Sequence, residues 1–205
     1  MRNFITILCI ALIVSCKKES RTLSNDHEIP QNNTDQSTDS PQNTDDIKQE
    51  FTAINDQLRS KKFNSKSFDY HCEEEEGNVQ FYYDQQKLRL VKHFFSDSHY
   101  SSVTQYYIKN DKVFFIFKDD TFWQFHGGTT EHPNTKDSIH QQRIYLQNEN
   151  LIQCLEKNYI ILSAGKNIDP EKIPNKAVPC DVKDLMEKYK KILKNKDKKN
   201  QVLCL

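Results

Sequence analysis

Glycine is scarce in this chain: four residues in 205, at Gly77, Gly127, Gly128 and Gly165. No arrangement of them makes G-x-G-x-x-G, a phosphate-cradling P-loop or the G-x-S-x-G elbow of a serine hydrolase. H-E-x-x-H and the calcium-loop pattern are absent as well. Nucleotide-dependent catalysis is therefore not expected, no cofactor is expected, and a hydrolase would have to work without a recognisable signature. Net charge is missing too, since 29 Lys and Arg balance 29 Asp and Glu. Nucleic-acid binding leaves a basic excess, and there is none. The one long apolar run, from Phe4 to Val14, is too short to cross a bilayer, which takes about 20 helical residues.

That run has a different reading. Arg2 is the only charged side chain before Lys17, so a positive start precedes an apolar stretch, as in a secretory signal peptide over residues 1–15. The stretch ends Ile13-Val14-Ser15-Cys16. This resembles the lipobox of bacterial lipoproteins. The resemblance implies cleavage before Cys16, a diacylglycerol thioether on its sulfur and an acyl chain (palmitate) on the new amino group. Several chains anchor stably where one would be marginal. In lipoproteins of Gram-negative bacteria an Asp after the cysteine commonly signals inner-membrane retention. Lys17 and Lys18 stand here instead, so the resemblance implies the outer membrane, on its periplasmic or its surface face. Residues 16–44 are rich in Ser, Thr, Asn, Gln and Asp and lack any apolar period. Such a segment cannot bury enough surface to offset chain entropy and reads as a lipidated, disordered tether.

Of six cysteines, Cys9 leaves with the signal peptide and Cys16 takes the lipid. Cys72, Cys154, Cys180 and Cys204 remain, in a compartment where pairing is expected. Four cysteines allow three connectivities. Cys154–Cys180 is favoured, because Cys180 follows Pro170, Pro174 and Pro179, a stretch too broken for regular structure that a crosslink could pin to the sheet. Cys72 could instead take either partner, or Cys204. No C-x-x-C occurs, so redox and zinc roles gain no support.

About 150 residues remain for one domain, which we place at residues 45–195, followed by a basic tail at 196–205. Ile47, Phe51, Ile54 and Leu58 recur with a helical period, and Asp45 or Asp46 can cap that helix. From about residue 67 to 163 the period changes to that of strands. Tyr82-Tyr83-Asp84-Gln85-Gln86-Lys87-Leu88 is echoed by Tyr107-Ile108-Lys109-Asn110-Asp111-Lys112-Val113 and by Tyr145-Leu146-Gln147-Asn148-Glu149-Asn150-Leu151. Each copy reads as a β-hairpin, strand, polar turn, strand. Asn110-Asp111 suits a tight turn because both residues tolerate positive φ. Asp119-Asp120 is expected to supply another turn. A second amphipathic helix fits residues 182 to about 193, with Asp181 as its cap and a lysine-rich polar face. The expected fold class is α+β: an antiparallel meander of six to eight strands with helices before and after it.

Strand alternation divides the echo between two faces. Tyr83, Ile108 and Leu146 are expected on the core face, under the helices. Tyr82, Tyr107 and Tyr145 would then lie on the opposite, half-wet face, with Trp123 joining them if its parity allows. Such a face could grip a partner, although the same rings equally suit cross-strand pairing that stabilises the sheet. Residues 127–138 are expected to form a long connection, which inside a compact meander is often a recognition loop. It contains Glu131 and His132 and is flanked by His126 and His140, ligand types for zinc but at no recognised spacing. The run Glu73 to Glu76 reads as a solvated turn guarding a sheet edge.

The hairpin echo, over roughly residues 78–157, resembles uncharacterised bacterial lipoproteins whose sheets repeat an aromatic strand, a turn and an aliphatic strand. The resemblance implies a β-rich envelope domain and no particular activity. The function expected is therefore non-catalytic: a membrane-anchored module binding a protein, peptide or envelope polymer. An alternative is an inhibitor or immunity protein against a hydrolase or toxin. A hydrolase centred on His126, Glu131 and His132 is the third reading.

Overall fold

Meander connectivity dictates the architecture of the computed structural model, in which residues 40–197 and 204–205 are described. The expectations for the signal peptide, Cys16 and most of the tether fall outside these residues. Strands β1 (Asn64–Cys72), β2 (Glu75–Asp84), β3 (Lys87–Asp97), β4 (Tyr100–Lys109), β5 (Lys112–Gly128), β6 (Pro133–Gln147), β7 (Asn150–Leu162) and the two-residue β8 (Lys176–Ala177) form one antiparallel sheet in sequence order. Helix α1 (Thr44–Arg59) precedes it and α2 (Lys183–Asn195) follows it.

The three echoed segments are three hairpins, and alternation brings all their turns to one end of the sheet, called here the turn end. Asn110 and Asp111 have φ of 52° and 61°, Asn148 and Glu149 50° and 66°. Positive φ at both central residues is the type I′ condition that matches strand twist. The echo is also one of register. The pairing shifts between Tyr82 and Tyr83, between Tyr107 and Ile108, and between Tyr145 and Leu146. Arg89, Phe114 and Ile152 are the extra residues, so each hairpin carries a bulge at the same place.

Two hydrophobic clusters pack on the sheet, one per face. On the first face α1 lays Ile47 and Ile54, flanked by Phe51 and Leu58, over Leu90, Tyr107, Phe114, Phe115 and Tyr145. On the second, Tyr189 and Ile192 of α2 cover Phe81, Val91, Tyr106, Ile108, Ile144 and Leu146. Glu50 of α1 receives Lys109 at 2.9 Å and also Arg89, tying the helix to two strands. The side chain of Asn43 accepts from the backbone N–H groups of Asp45 and Asp46. Asn43 is thus the cap, not Asp45 or Asp46, whose carboxylates instead complement the positive end of the helix dipole. Asp181 accepts from the Lys183 N–H at 2.9 Å at the start of α2.

Three expectations need correcting. The helices do not share a face. α1 takes the face of Tyr82, Tyr107 and Tyr145, so those rings are core, and two of them are 1% and 5% exposed at Tyr107 and Tyr145. Asp119-Asp120 is not a turn: β5 runs straight through, because both carboxylates find side-chain partners, Gln141 for Asp119 and Ser102 with Lys118 for Asp120. The connection at residues 127–138 is not a long loop either. β5 and β6 pair out to Gly128 and Pro133, and Thr129 and His132 exchange backbone hydrogen bonds across a short turn. Gly127 and Gly128, with φ of 84° and 86°, make the irregularity that closes it.

Two disulfides close the domain. Cys154–Cys180 forms as expected, with Cα atoms 6.2 Å apart. Cys72–Cys204 joins the first strand to the C-terminal tail, with Cα atoms 4.9 Å apart. The tail is therefore fastened to the body at Cys204.

Candidate functional site

Neither helix reaches the far half of the sheet, beyond the α1 and α2 clusters, and the first face is the more open there. Register assigns its rows. Gln80, Lys92, Gln105, Phe117 and Arg143 lie side by side across β2 to β6. The next row outward is Asn78, Phe94, Val103, Asp119 and Gln141. Over β2 to β4 these rows floor a shallow cavity of about 280 Å³ lined by Asn78, Gln80, Lys92, Phe94 and Val103. A second hollow of about 420 Å³ adjoins it toward β1, sharing Asn78 and Phe94 and adding Asp69, His71 and Glu76. At the other side, Lys157 donates to the Pro170 carbonyl at 2.9 Å and Arg143 to Asn175 at 2.9 Å, so the segment after β7 lies over β6 and β7. The open part is thus a trough between α1, the β1 edge and that segment.

Two tyrosines of the α1 face act on this trough from below. Residues two apart share a strand face, so Tyr82 sits beside Gln80 and Tyr107 beside Gln105. The Tyr82 hydroxyl donates to Gln80 Oε1 at 2.6 Å, and the Tyr107 hydroxyl to Gln105 Oε1 at 3.0 Å. Each amide oxygen is engaged, the Tyr107 hydroxyl lying also 3.3 Å from Asn55 Oδ1, and neither amide NH₂ has a hydrogen-bond partner among the described residues. Burial pushes the Tyr107 hydroxyl up to about 12 and the Tyr82 hydroxyl upward too, so both stay protonated and remain donors. Lys92 lies between the two glutamines and has no ion-pair partner among the described residues. The nearest acidic groups lie in other rows. Asp69 accepts from Asn78 at 2.5 Å, Glu76 faces His71 at 3.9 Å, and Asp119 accepts from Gln141 at 2.7 Å. Burial raises the Asp119 carboxyl, against the pull of Gln141, Arg143 and Lys157.

Trp123 shares the face of Tyr107 but lies beyond α1. Its ring centroid is 4.2 Å from that of His99 and 5.5 Å from that of Phe125. β5, β6 and β7 project past the other strands here, because β4 begins at Tyr100, opposite Phe122. Phe125 on one face and Phe122 and Ile160 on the other are 64%, 49% and 47% exposed. Of the expected aromatic surface, then, Trp123 is half-open, Tyr82 is half-buried, and Tyr107 and Tyr145 are covered.

The histidines do not converge. His126, Glu131 and His132 are exposed near the tip of the projecting hairpin, and His140 pairs with Glu156 at 3.1 Å. Among the described residues no three His, Cys, Asp or Glu side chains gather as a metal site. Glu73 and Glu74 form the β1–β2 turn, and Glu75 instead accepts from the Tyr70 hydroxyl at 2.7 Å.

Gln80, Lys92, Gln105 and Phe94 escaped the sequence reading, yet a signal was there. Two of the three copies extend one step upstream, as Gln80-Phe81-Tyr82 and Gln105-Tyr106-Tyr107. A glutamine two residues before a buried tyrosine is on its face and within its reach. The third copy has Arg143 at that position, stacked 5.1 Å over Phe117. No protein-family model, curated protein or solved structure matches the chain.

Proposed function

We propose that this is a lipid-anchored bacterial envelope protein, held by Cys16 and probing its surroundings with a non-catalytic binding face. The observation that carries the binding half is the bare far side of the α1 face. Both helices leave it open, and its floor over β2 to β4 carries two glutamine amides, a lysine with no ion-pair partner among the described residues and an exposed ring. Export is supported by the two disulfides, which belong to an oxidising compartment. No helix among the described residues is long and apolar enough to cross a membrane.

Two measurements test the two halves. Radioactive palmitate should label the native chain and not a Cys16→Ala chain, and equal labelling refutes the anchor. A photoreactive residue at position 94 should trap a partner in intact cells, whereas one at Glu187 on the outer side of α2 should not. Equal trapping at both places, or none at 94, removes the binding face.

A second reading has one observation behind it. The projecting β5–β6 hairpin, with Phe125 64% exposed near its tip, has the form of a finger that could enter the cleft of an incoming enzyme. Trapping at Phe125 rather than at Phe94 would favour that inhibitor.

A further inference from the structure

We propose that the row Gln80–Lys92–Gln105, with Phe94 beside it, binds an acidic sugar chain, the sugar carboxylate on the row and the ring against Phe94. This rests on the reading of the trough as a binding face and names its ligand.

The charge of the ligand follows from which atoms are already used. A glutamine offers an acceptor and two donor hydrogens. The Tyr82 and Tyr107 hydroxyls engage the acceptors of Gln80 and Gln105, so the ends left to meet a ligand are the NH₂ donors. Lys92 between them can only donate and carries a positive charge with no partner among the described residues. Three neighbouring strands thus present donors in one row, about 4.8 Å apart from strand to strand. A neutral ligand would leave the ammonium unmatched. A carboxylate matches it and adds charge-assisted hydrogen bonds, roughly twice as strong as neutral ones. Asp69 and Asp119 accept from the amides of Asn78 and Gln141, and Glu76 lies 3.9 Å from His71; none of the three carboxylates stands in the row of Gln80, Lys92 and Gln105.

The sugar follows from the next row. Phe94 is 38% exposed and stands beside Val103 and Asn78. An apolar strip one step from a polar row suits a ring with a C–H face and a hydroxyl rim. Asn78 gives its NH₂ to Asp69, which leaves its amide oxygen to accept from a hydroxyl. A peptide that adds as a strand needs the open backbone of an edge strand, and the trough lies over β2, β3 and β4, whose backbones are paired on both sides.

The test is calorimetry on the chain purified from the envelope in mild detergent. The probes are oligogalacturonate, its methyl ester and poly-glutamate. Oligogalacturonate should bind, the ester about tenfold or more weakly, and poly-glutamate not measurably. Lys92→Met should lose about tenfold for the acid, nothing for the ester, and the salt dependence, whereas Lys92→Arg keeps all three. Phe94→Ala should weaken acid and ester alike. Acid and ester binding equally, Lys92→Met binding like the native chain, poly-glutamate competing, or no binding of oligogalacturonate would each overturn the proposal. The proposal's failure separates from that of the binding face: trapping at position 94 with no acidic sugar bound removes only the ligand named here, and no trapping removes both.

Discussion

His93 shows what a single buried residue can impose. It is 2% exposed on the α2 face, stacked between Tyr70 and Phe95. The Tyr70 hydroxyl donates to Glu75 at 2.7 Å, so His93 Nε2, at 2.8 Å, carries a proton and donates to Tyr70. Burial, reinforced by the Lys188 ammonium, lowers the imidazole to about 4 from its ordinary 6.5. Between those values the unfolded chain binds a proton that the folded chain refuses, so stability rises with pH there and is lost as pH falls from 6.5 toward 4. The full span is worth on the order of 3 kcal/mol. Urea midpoints of His93→Gln should fall less than the native midpoints between pH 6.5 and 4, and parallel slopes would refute the assignment. Gly77 is the other constrained position. A Cβ there would sit 2.1 Å from the Tyr70 ring, which is itself buried. Gly77→Ala should therefore destabilise by about 1–3 kcal/mol, in contrast to the gain an alanine often brings within a strand.

At the scale of elements, much was legible and one thing was not. The stripe of Ile47, Phe51, Ile54 and Leu58 marked α1, and the stripe of Val182, Leu185, Met186, Tyr189 and Ile192 marked α2. The echo marked three hairpins and their shared end. Amphipathic period says that a helix covers something, but not which side of a sheet it covers. Tyr82, Tyr107 and Tyr145 looked wet because tyrosine tolerates water. On the α1 face Tyr107 and Tyr145 are buried and Tyr82 is half-buried, and the hydroxyls of Tyr82 and Tyr107 are served by Gln80, Gln105 and Asn55. Asp119-Asp120 looked like a turn because paired acids are costly inside a strand. They persist because alternation sends one to each face, where each is hydrogen-bonded. Burial pushes Asp120 up, but Lys118 and Ser102 hold it below the usual carboxylate range. The trough was unreadable chiefly because it is defined by what the helices leave uncovered, and only the Gln-x-Tyr step hinted at it.

For the molecule as a whole, the disulfides set the hierarchy of stability. Cys72–Cys204 spans 132 residues and Cys154–Cys180 spans 26. In the chain-entropy model these closures contribute about 5 and about 3.5 kcal/mol. Cys204→Ser should therefore lower the urea-derived stability more than Cys180→Ser does. The reverse order would mean that the C-terminal tail adds little once the sheet is closed. The first crosslink also locks β1, an edge strand with one unpaired side, against the α2 layer, where Cys72 and Leu205 pack on the cluster of Tyr189 and Ile192. An edge held in this way is less free to recruit a strand from another chain.

The shared bulge has a last consequence, for how such a molecule could be resized. Every echoed hairpin turns back at one end with the same one-residue slip, so all three match the faces of their paired strands in the same way. Inserting or deleting such a pair of strands would leave every other residue facing the helix it faced before. The sheet would change only in width, by about 10 Å for each pair. Width is the direction in which the trough runs. If the trough seats a chain-like guest, as proposed, the count of hairpins would act as a ruler for how many of its units fit at once without redesign of the layers beneath.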